Sequence, residues 1–181
     1  MITRNECLNI LKKEKCSQDI VRHCLRVASL SRLVADTCLK AGIAVNPDIV
    51  ECGGLLHDIG RSITHDIHHA VEGAKILKRY RLPAMVVRIV ENHVGAGIPF
   101  EEAIALGLPA KDFSQNSMEE KIVAYADKLI RGREVIPSEK AEKEIAKALG
   151  EHHPAVQRFK EMRRLFSGIP GVSGVVSRAV V

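Results

Sequence analysis

Helix start signals recur along almost the whole chain and constrain its fold more than any other feature. The segments "TRNE" (residues 3–6) and "SMEE" (residues 117–120) are capping boxes. "NPDIV" (residues 46–50) places asparagine and proline as an N-cap and first helical residue. After Ser17, apolar residues recur every three or four positions, which is the period of an amphipathic helix. Since no stretch alternates convincingly at period two, the sequence predicts an all-α, single-domain helical bundle.

The 181 residues are enough to bury one hydrophobic core. We expect an N-terminal helix over residues 1–16, a core over 17–135, C-terminal helices packing on it over 136–168, and a Gly/Val-rich tail over 169–181. Residues 92–117, rich in Gly and Pro, predict a loop with one short helical turn, and loops of this length are often functional. The tail is either disordered or docked on the core or on a second subunit, so a homodimer stays open.

Composition limits the classes of partner. The net charge of +5 favours anionic partners, but basic and acidic residues are interleaved, and the chain has no Trp and two Tyr. A dedicated nucleic-acid binder is therefore not expected. No apolar run approaches the ~20 residues of a membrane span, and no signal peptide is recognisable. The five cysteines contain no C-x-x-C pair, so we expect reduced thiols in a cytoplasmic protein, without membrane association or a Cys-ligated zinc.

Several side chains that can bind a metal lie in otherwise apolar helical segments. Asp127, within "IVAYADKLI", is the sharpest case, because a lone buried carboxylate is costly. Any one such residue is more often a core polar group with ordinary hydrogen bonds. Six together favour a shared cation that offsets the carboxylate charge and accepts the imidazole lone pairs. The six are His23, His57, Asp58, His69, His93 and Asp127.

The chemistry of these donors indicates which metals they suit. Imidazole nitrogen combined with carboxylate oxygen, without thiolate, suits divalent Fe, Mn, Ni, Co, Zn or Mg. Four imidazoles and two carboxylates exceed what one ion needs while leaving room for water. The set therefore predicts two metals, with one carboxylate bridging them, held between helices of a bundle.

The order His…His-Asp…Asp, with the central segment "HDIGR", resembles the HD-domain superfamily of metal-dependent phosphohydrolases. The resemblance covers roughly residues 18–135. It implies that His23 is the family's first histidine, that residues 57–58 are its doublet, and that Asp127 is its last aspartate.

Members of this superfamily with two further histidines bind a dinuclear centre, and two segments here match those positions. His69 lies in "HAVEGA" and His93 in "ENHVG". Around "MEEKIVAYADKLIRGR" the chain is similar to bacterial HD-type hydrolases that split diadenosine tetraphosphate symmetrically. The chain resembles uncharacterised archaeal HD proteins equally well. The similarity is weaker over residues 94–117, where substrate contacts would lie.

The resemblance implies hydrolysis of a phosphoester or phosphoanhydride by metal-activated water, with a small phosphorylated substrate, a nucleotide being favoured. Asp58 would bridge two metals, and the other five ligands would divide between them. Three basic residues close to ligands in sequence are candidate catalytic phosphate contacts, with ordinary surface charges as the alternative. They are Arg61, Lys128 and Arg133.

Two other functions stay open at this point. Some HD proteins with the same six ligands are mixed-valent di-iron oxygenases, and a non-catalytic nucleotide-sensing module is a third possibility. Whether His65 or His68 assists at the site is also open. Both are expected to be exposed loop residues or to contact the ligand side chains without binding the metal. His152 and His153 are expected to be solvated residues at a helix start.

Overall fold

The computed structural model describes residues 2–180, and helices account for most of them. The helices are α1 Arg4–Lys13, α2 Gln18–Lys40, α3 Pro47–Leu56, α4 His69–Arg79, α5 Ala84–Asn92, α6 Phe100–Ala105, α7 Met118–Leu129, α8 Ser138–Leu149, α9 Pro154–Ser167 and α10 Val172–Ala179. Two short 3₁₀ turns lie at Ile59–Ser62 and Val94–Ala96. The all-α prediction is confirmed.

The helices begin where the capping signals predict. The Thr3 and Ser117 hydroxyls accept from the backbone N–H of the glutamates three residues later, and both capping boxes are complete. Ser17 caps α2 and Asn46 caps α3. These starts are local in origin, because each cap satisfies N–H groups that the first helical turn leaves unpaired.

Two local details go beyond the helix starts described above. Asp66 accepts from the His68 N–H at 2.8 Å in the turn before α4, whose N-cap is His68. A two-stranded antiparallel hairpin, β1 Ile130–Arg131 and β2 Glu134–Val135, follows α7. It turns at Gly132, whose φ is +55°. Glycine adopts this left-handed conformation at little cost, so the chain reverses within two residues.

The described part of the C-terminal tail, residues 169–180, docks on the core. Helix α10 packs against α2, and Val172 and Val176 join the main apolar cluster. Tyr125 of α7 stacks between Phe159 and Phe166 of α9, with ring centroids 6.2 and 4.4 Å apart. Helix α7, which carries Asp127, is therefore fixed on two sides by α2 and α9. Within residues 2–180, no helix is both long and apolar enough to cross a membrane.

Glycines permit the close helix contacts behind the candidate ligands. A Cβ on Gly53 would lie 2.7 Å from the Ile89 side chain of α5, and one on Gly54 would lie 2.8 Å from Ala28 Cα of α2. Helix α3 therefore approaches both neighbours more closely than side chains would allow. This approach brings the end of α3, where residues 57 and 58 lie, between α2 and α5.

Candidate metal centre

Helix ends position three of the six candidate ligands. His57 and His93 are the C-caps of α3 and α5, and His69 begins α4. Each ring donates its Nδ1 proton to the backbone carbonyl three residues earlier, at distances of 2.6 to 2.8 Å. Since a carbonyl only accepts, these bonds assign the Nδ1 proton and direct Nε2 towards the interior. The acceptors belong to Gly54, Asp66 and Val90.

One group of donor atoms forms where α2, α3 and α7 meet. His23 Nε2 lies 3.2 Å from His57 Nε2 and 3.0 Å from Asp127 Oδ1. His57 Nε2 is 3.5 Å from the same Asp127 oxygen. Asp58 Oδ2 is 3.7 Å from His57 Nε2 and 3.9 Å from His23 Nε2. These four residues place nitrogen and oxygen donors around one point, although they are up to 104 positions apart in sequence.

A second group forms between the same aspartate and the histidines of α4 and α5. Asp58 Oδ1 lies 3.2 Å from His69 Nε2 and 3.6 Å from His93 Nε2. The two imidazole Nε2 atoms are 3.1 Å apart. The two Asp58 oxygens thus face different donor groups. The ligand atoms of His23, His57 and Asp58 lie within 4.8 Å of one another, as do those of Asp58, His69 and His93, so each set could hold a metal ion.

Two features of these residues fit a bound cation. Asp58 Oδ1 is buried and accepts no hydrogen bond from the residues described, which is costly for a carboxylate oxygen. The Nδ1 bonds of His69 and His93 leave their Nε2 atoms facing each other at 3.1 Å, where two lone pairs would meet if neither atom carried a proton. A cation relieves both conflicts, because it binds the oxygen and both lone pairs. The donor set suits a divalent metal.

The electrostatics of the metal-free centre follow from this crowding. Burial would raise the pKa of Asp58, but the charge of His57 and the adjacent imidazoles of His69 and His93 hold it well below its usual range. Burial also opposes ionisation of Asp127, yet Lys128 and the neighbouring imidazoles keep the pKa of its carboxyl low. Both carboxylates are therefore ionised and available to a cation at neutral pH.

The histidines respond in opposite directions. Burial works against protonation of His57, but the Asp58 carboxylate outweighs it and raises the pKa of His57 well above its ordinary value. Burial of His93 lowers its pKa to about 4, and the nearby positive charge of His57 contributes to this shift. Without a metal, the cluster therefore holds a proton on the His57 side, while the His93 imidazole is neutral.

Basic residues border the mouth of the centre, a cavity of about 380 Å³. Arg61 Nε lies 2.7 Å from Asp58 Oδ2, and Lys128 Nζ lies 2.5 Å from Asp127 Oδ2. Arg131 also lines this cavity, whereas Arg133, the residue expected from the sequence, lines a different groove on the other side of the hairpin. Arg131 lies four residues after Asp127, which would be one turn later on a continuous helix. However, α7 ends at Leu129, and it is the hairpin that brings the Arg131 side chain to the mouth.

A larger cleft of about 710 Å³ adjoins the mouth and shares Arg61, Lys128 and Arg131 with it. Its remaining wall is largely apolar. It comes from the segment before α4, the segment between α5 and α6, and from α6, α8 and α9, and it includes Ile67, Val94, Ile98, Ile145 and Leu149. The cleft therefore has basic side chains at the end next to the donor groups and apolar surface beyond them.

The remaining histidines have different surroundings. His65 is exposed and lines the cleft, as does His153, which also caps α9 by accepting from the Ala155 N–H. His68 is held by Asp66 and by the Gly107 carbonyl, outside both donor groups. His152 is exposed at the start of α9. Among these four, only His65 and His153 face the space that a substrate would enter.

Comparison with known proteins gives a family, relatives and a fold. The family model described as "HD domain" matches residues 20–132. An uncharacterised protein of Methanocaldococcus jannaschii is 45% identical over 154 residues, which are 85% of this chain and 90% of that protein. A tRNA (cytidine(56)-2'-O)-methyltransferase of Picrophilus torridus is 42% identical over 168 residues, 92% of this chain, but the chain spans only 47% of that protein's length.

A solved structure has the same architecture. The phosphodiesterase PgpH HD domain of L. monocytogenes, in complex with cyclic-di-AMP, superimposes with a TM-score of 0.56 at 18% identity, covering 94% of this chain and 92% of that one. At this identity the likeness concerns the fold.

Proposed function

The chain belongs to the HD domain family of metal-dependent phosphohydrolases, and from that premise we propose that it hydrolyses a phosphoester or phosphoanhydride bond of a nucleotide. One observation carries the proposal. Two groups of imidazole and carboxylate donors share Asp58, whose buried Oδ1 accepts no hydrogen bond from the described residues, beside a cleft with three cationic side chains.

The residues divide into two candidate binding sites for divalent cations. His23, His57 and Asp127 would hold one ion, His69 and His93 would hold the second, and Asp58, whose oxygens face both groups, would contribute to both sites. When bound, such cations stabilise charge on phosphoryl oxygens and make a coordinated water acidic enough to attack phosphorus at neutral pH.

The side chains at the mouth have a distinct task. Arg61, Lys128 and Arg131 surround the opening through which a phosphate would reach the donor groups. Arg61 is oriented by Asp58 and by a hydrogen bond from its guanidinium to the His65 carbonyl. Lys128 is held by Asp127. Cations preorganised in this way stabilise the charge that develops on a phosphate in the transition state.

The shape of the cleft supports a nucleotide as substrate. Its aliphatic wall offers apolar surface beyond the cationic mouth, and a nucleoside attached to the scissile phosphate has a planar base that can be buried there. The PgpH domain of the same fold was solved with cyclic-di-AMP, which also supports a nucleotide.

The test begins with elemental analysis of the purified protein. The protein, loaded with the metal found and then with Mn, Fe, Co, Ni, Zn or Mg in turn, is assayed on bis-p-nitrophenyl phosphate and a nucleotide panel. Replacing Asp58 by Asn should lower both metal content and turnover, the latter by more than about 100-fold. Asp112→Asn, at an exposed position, is the matched control.

Absence of phosphoester or anhydride cleavage with every metal would refute the proposal, as would normal turnover by Asp58→Asn. Oxygen consumption by the iron-loaded protein, without hydrolysis, would assign the same ligands to the di-iron oxygenase alternative.

A further inference from the structure

A groove of about 370 Å³, in which three arginines lie among mostly aliphatic lining residues, borders the metal centre but has no part in the hydrolysis described above. Arg22 and Arg26 of α2 line one side, and Arg133 at the turn of the hairpin lines the other. The groove meets the mouth of the metal centre at Ile130, which lines both. The mouth and the groove are therefore neighbours, one on each side of Ile130.

The groove has a surplus of positive charge. Arg22 pairs with the exposed Asp19 at 2.5 Å, but neither Arg26 nor Arg133 has a carboxylate within ion-pair distance among residues 2–180. By contrast, Arg61 and Arg131 at the mouth each pair with an acid. Guanidinium groups that face one groove without counter-charges favour an anion, and phosphate matches their paired N–H donors.

Helix α2 sets the distance between this charge and the metal centre. Arg26 follows the candidate ligand His23 by three residues, a rise of about 4.5 Å along the helix. Arg22 and Arg26 are one turn apart, about 6 Å, so their side chains follow the same edge of the groove. The arginines therefore lie close enough to serve the phosphate next to the one at the metals.

We propose that this groove is a second phosphate subsite, which takes the neighbouring phosphodiester of a short linear oligonucleotide. The proposal rests on the proposed function, since the first phosphate is the one that the metal centre cleaves. No Trp, Tyr or Phe lines the groove. It therefore offers no aromatic platform for base stacking, and the arginines favour recognition of the backbone phosphate.

Two substrates with the same bond but different phosphate counts test the subsite. ApA contains one phosphodiester and ApApA contains two. In the metal-loaded protein, kcat/KM for ApApA should exceed that for ApA by at least about tenfold, beyond the twofold expected from its second cleavable bond. The double variant Arg26→Gln/Arg133→Gln should lose most of this advantage through KM while its activity on ApA is unchanged.

The control variant is Arg81→Gln/Arg164→Gln. It removes the same charge from two exposed arginines that lie outside the groove and have no ion pair among the described residues. A second readout does not depend on turnover. Binding of ApApA to the metal-free protein should weaken with salt, and the slope of log K against log salt should be shallower by about 0.7 in the groove variant, for one phosphate no longer neutralised.

The outcomes separate the two proposals. Equal kcat/KM for ApA and ApApA, or the same loss in groove and control variants, would overturn the subsite and leave the hydrolase proposal standing. If neither compound is cleaved but ApApA binds more tightly than ApA in a manner that requires Arg26 and Arg133, the subsite stands and the hydrolytic function fails.

Discussion

Replacing Gly60 by alanine should damage the metal centre although Gly60 supplies no ligand atom. Gly60 lies in the 3₁₀ turn directly after Asp58, against the start of α4. An added Cβ would be 1.9 Å from the His69 carbonyl oxygen and 2.5 Å from the Gly73 nitrogen. Cβ atoms essentially never approach within 3.0 Å of another heavy atom, so the two backbones must separate by at least 1.1 Å, the difference between 3.0 and 1.9 Å.

This displacement acts directly on the second donor group. Asp58 and His69 lie on opposite sides of the contact, and their facing atoms are 3.2 Å apart. Metal–ligand distances tolerate only about 0.2 Å, and a misplacement of 1 Å can cost about 100-fold in rate. We therefore expect Gly60→Ala to bind roughly one equivalent less metal and to lose about 100-fold in turnover. Overpacking should also lower the free energy of unfolding by about 1–3 kcal/mol.

The assay combines metal stoichiometry by elemental analysis, phosphodiesterase kinetics and thermal unfolding. Gly174→Ala in α10 is the matched control, since the nearest atom to its Cβ would be an Arg178 guanidinium nitrogen at 3.6 Å. Wild-type metal content and melting temperature in Gly60→Ala would refute the close-contact reasoning, because that result would mean that the two backbones can separate freely.

Three further predictions follow from the charges of the centre and its support. Metal binding near pH 7 should release about one proton, because the raised pKa of His57 keeps its ring protonated in the absence of metal. The released proton is taken up by the buffer, so the calorimetric binding enthalpy should vary with the ionisation enthalpy of the buffer, and an enthalpy that does not vary would contradict this prediction. Burial lowers the pKa of His93 from 6.5 to about 4, so the unfolded chain binds more protons than the folded chain between these pH values. The metal-free protein should therefore lose up to about 3 kcal/mol of folding stability as pH falls through this window. Above pH 6.5 the raised pKa of His57 has the opposite effect, and stability should fall as pH rises. Denaturant unfolding of wild type and His93→Gln across this range measures the effect, and an unchanged pH slope in the variant would contradict it. Replacing the buried Glu120 by alanine should lower the free energy of unfolding by about 3–5 kcal/mol, because its carboxylate accepts hydrogen bonds from Asn92, from Arg88 and from two backbone N–H groups. A melting temperature within 2 °C of wild type would exclude this role.

The sequence determined those features that depend on neighbouring residues. The starts of α1, α2, α3 and α7 could be predicted because each cap bonds to N–H groups two or three positions away. The fold class followed from the apolar period of the helices. The six candidate ligands were recognisable because their residue types are unusual in apolar segments and occur in the order of the HD domain family. Their roles as ligands remain proposals.

Only the tertiary structure decided which other groups lie beside those six. Arg131 and Arg133 are two residues apart and chemically alike, yet the turn at Gly132 directs one to the mouth and the other to the neighbouring groove. The division of Asp58's oxygens between two donor groups depends on contacts between helices distant in sequence. The docking of α10 likewise depends on the apolar surface that α2 leaves for it. Local hydrogen bonds specify where helices begin. The direction of a side chain, and the residues that it contacts, depend on long-range packing that sequence spacing does not encode.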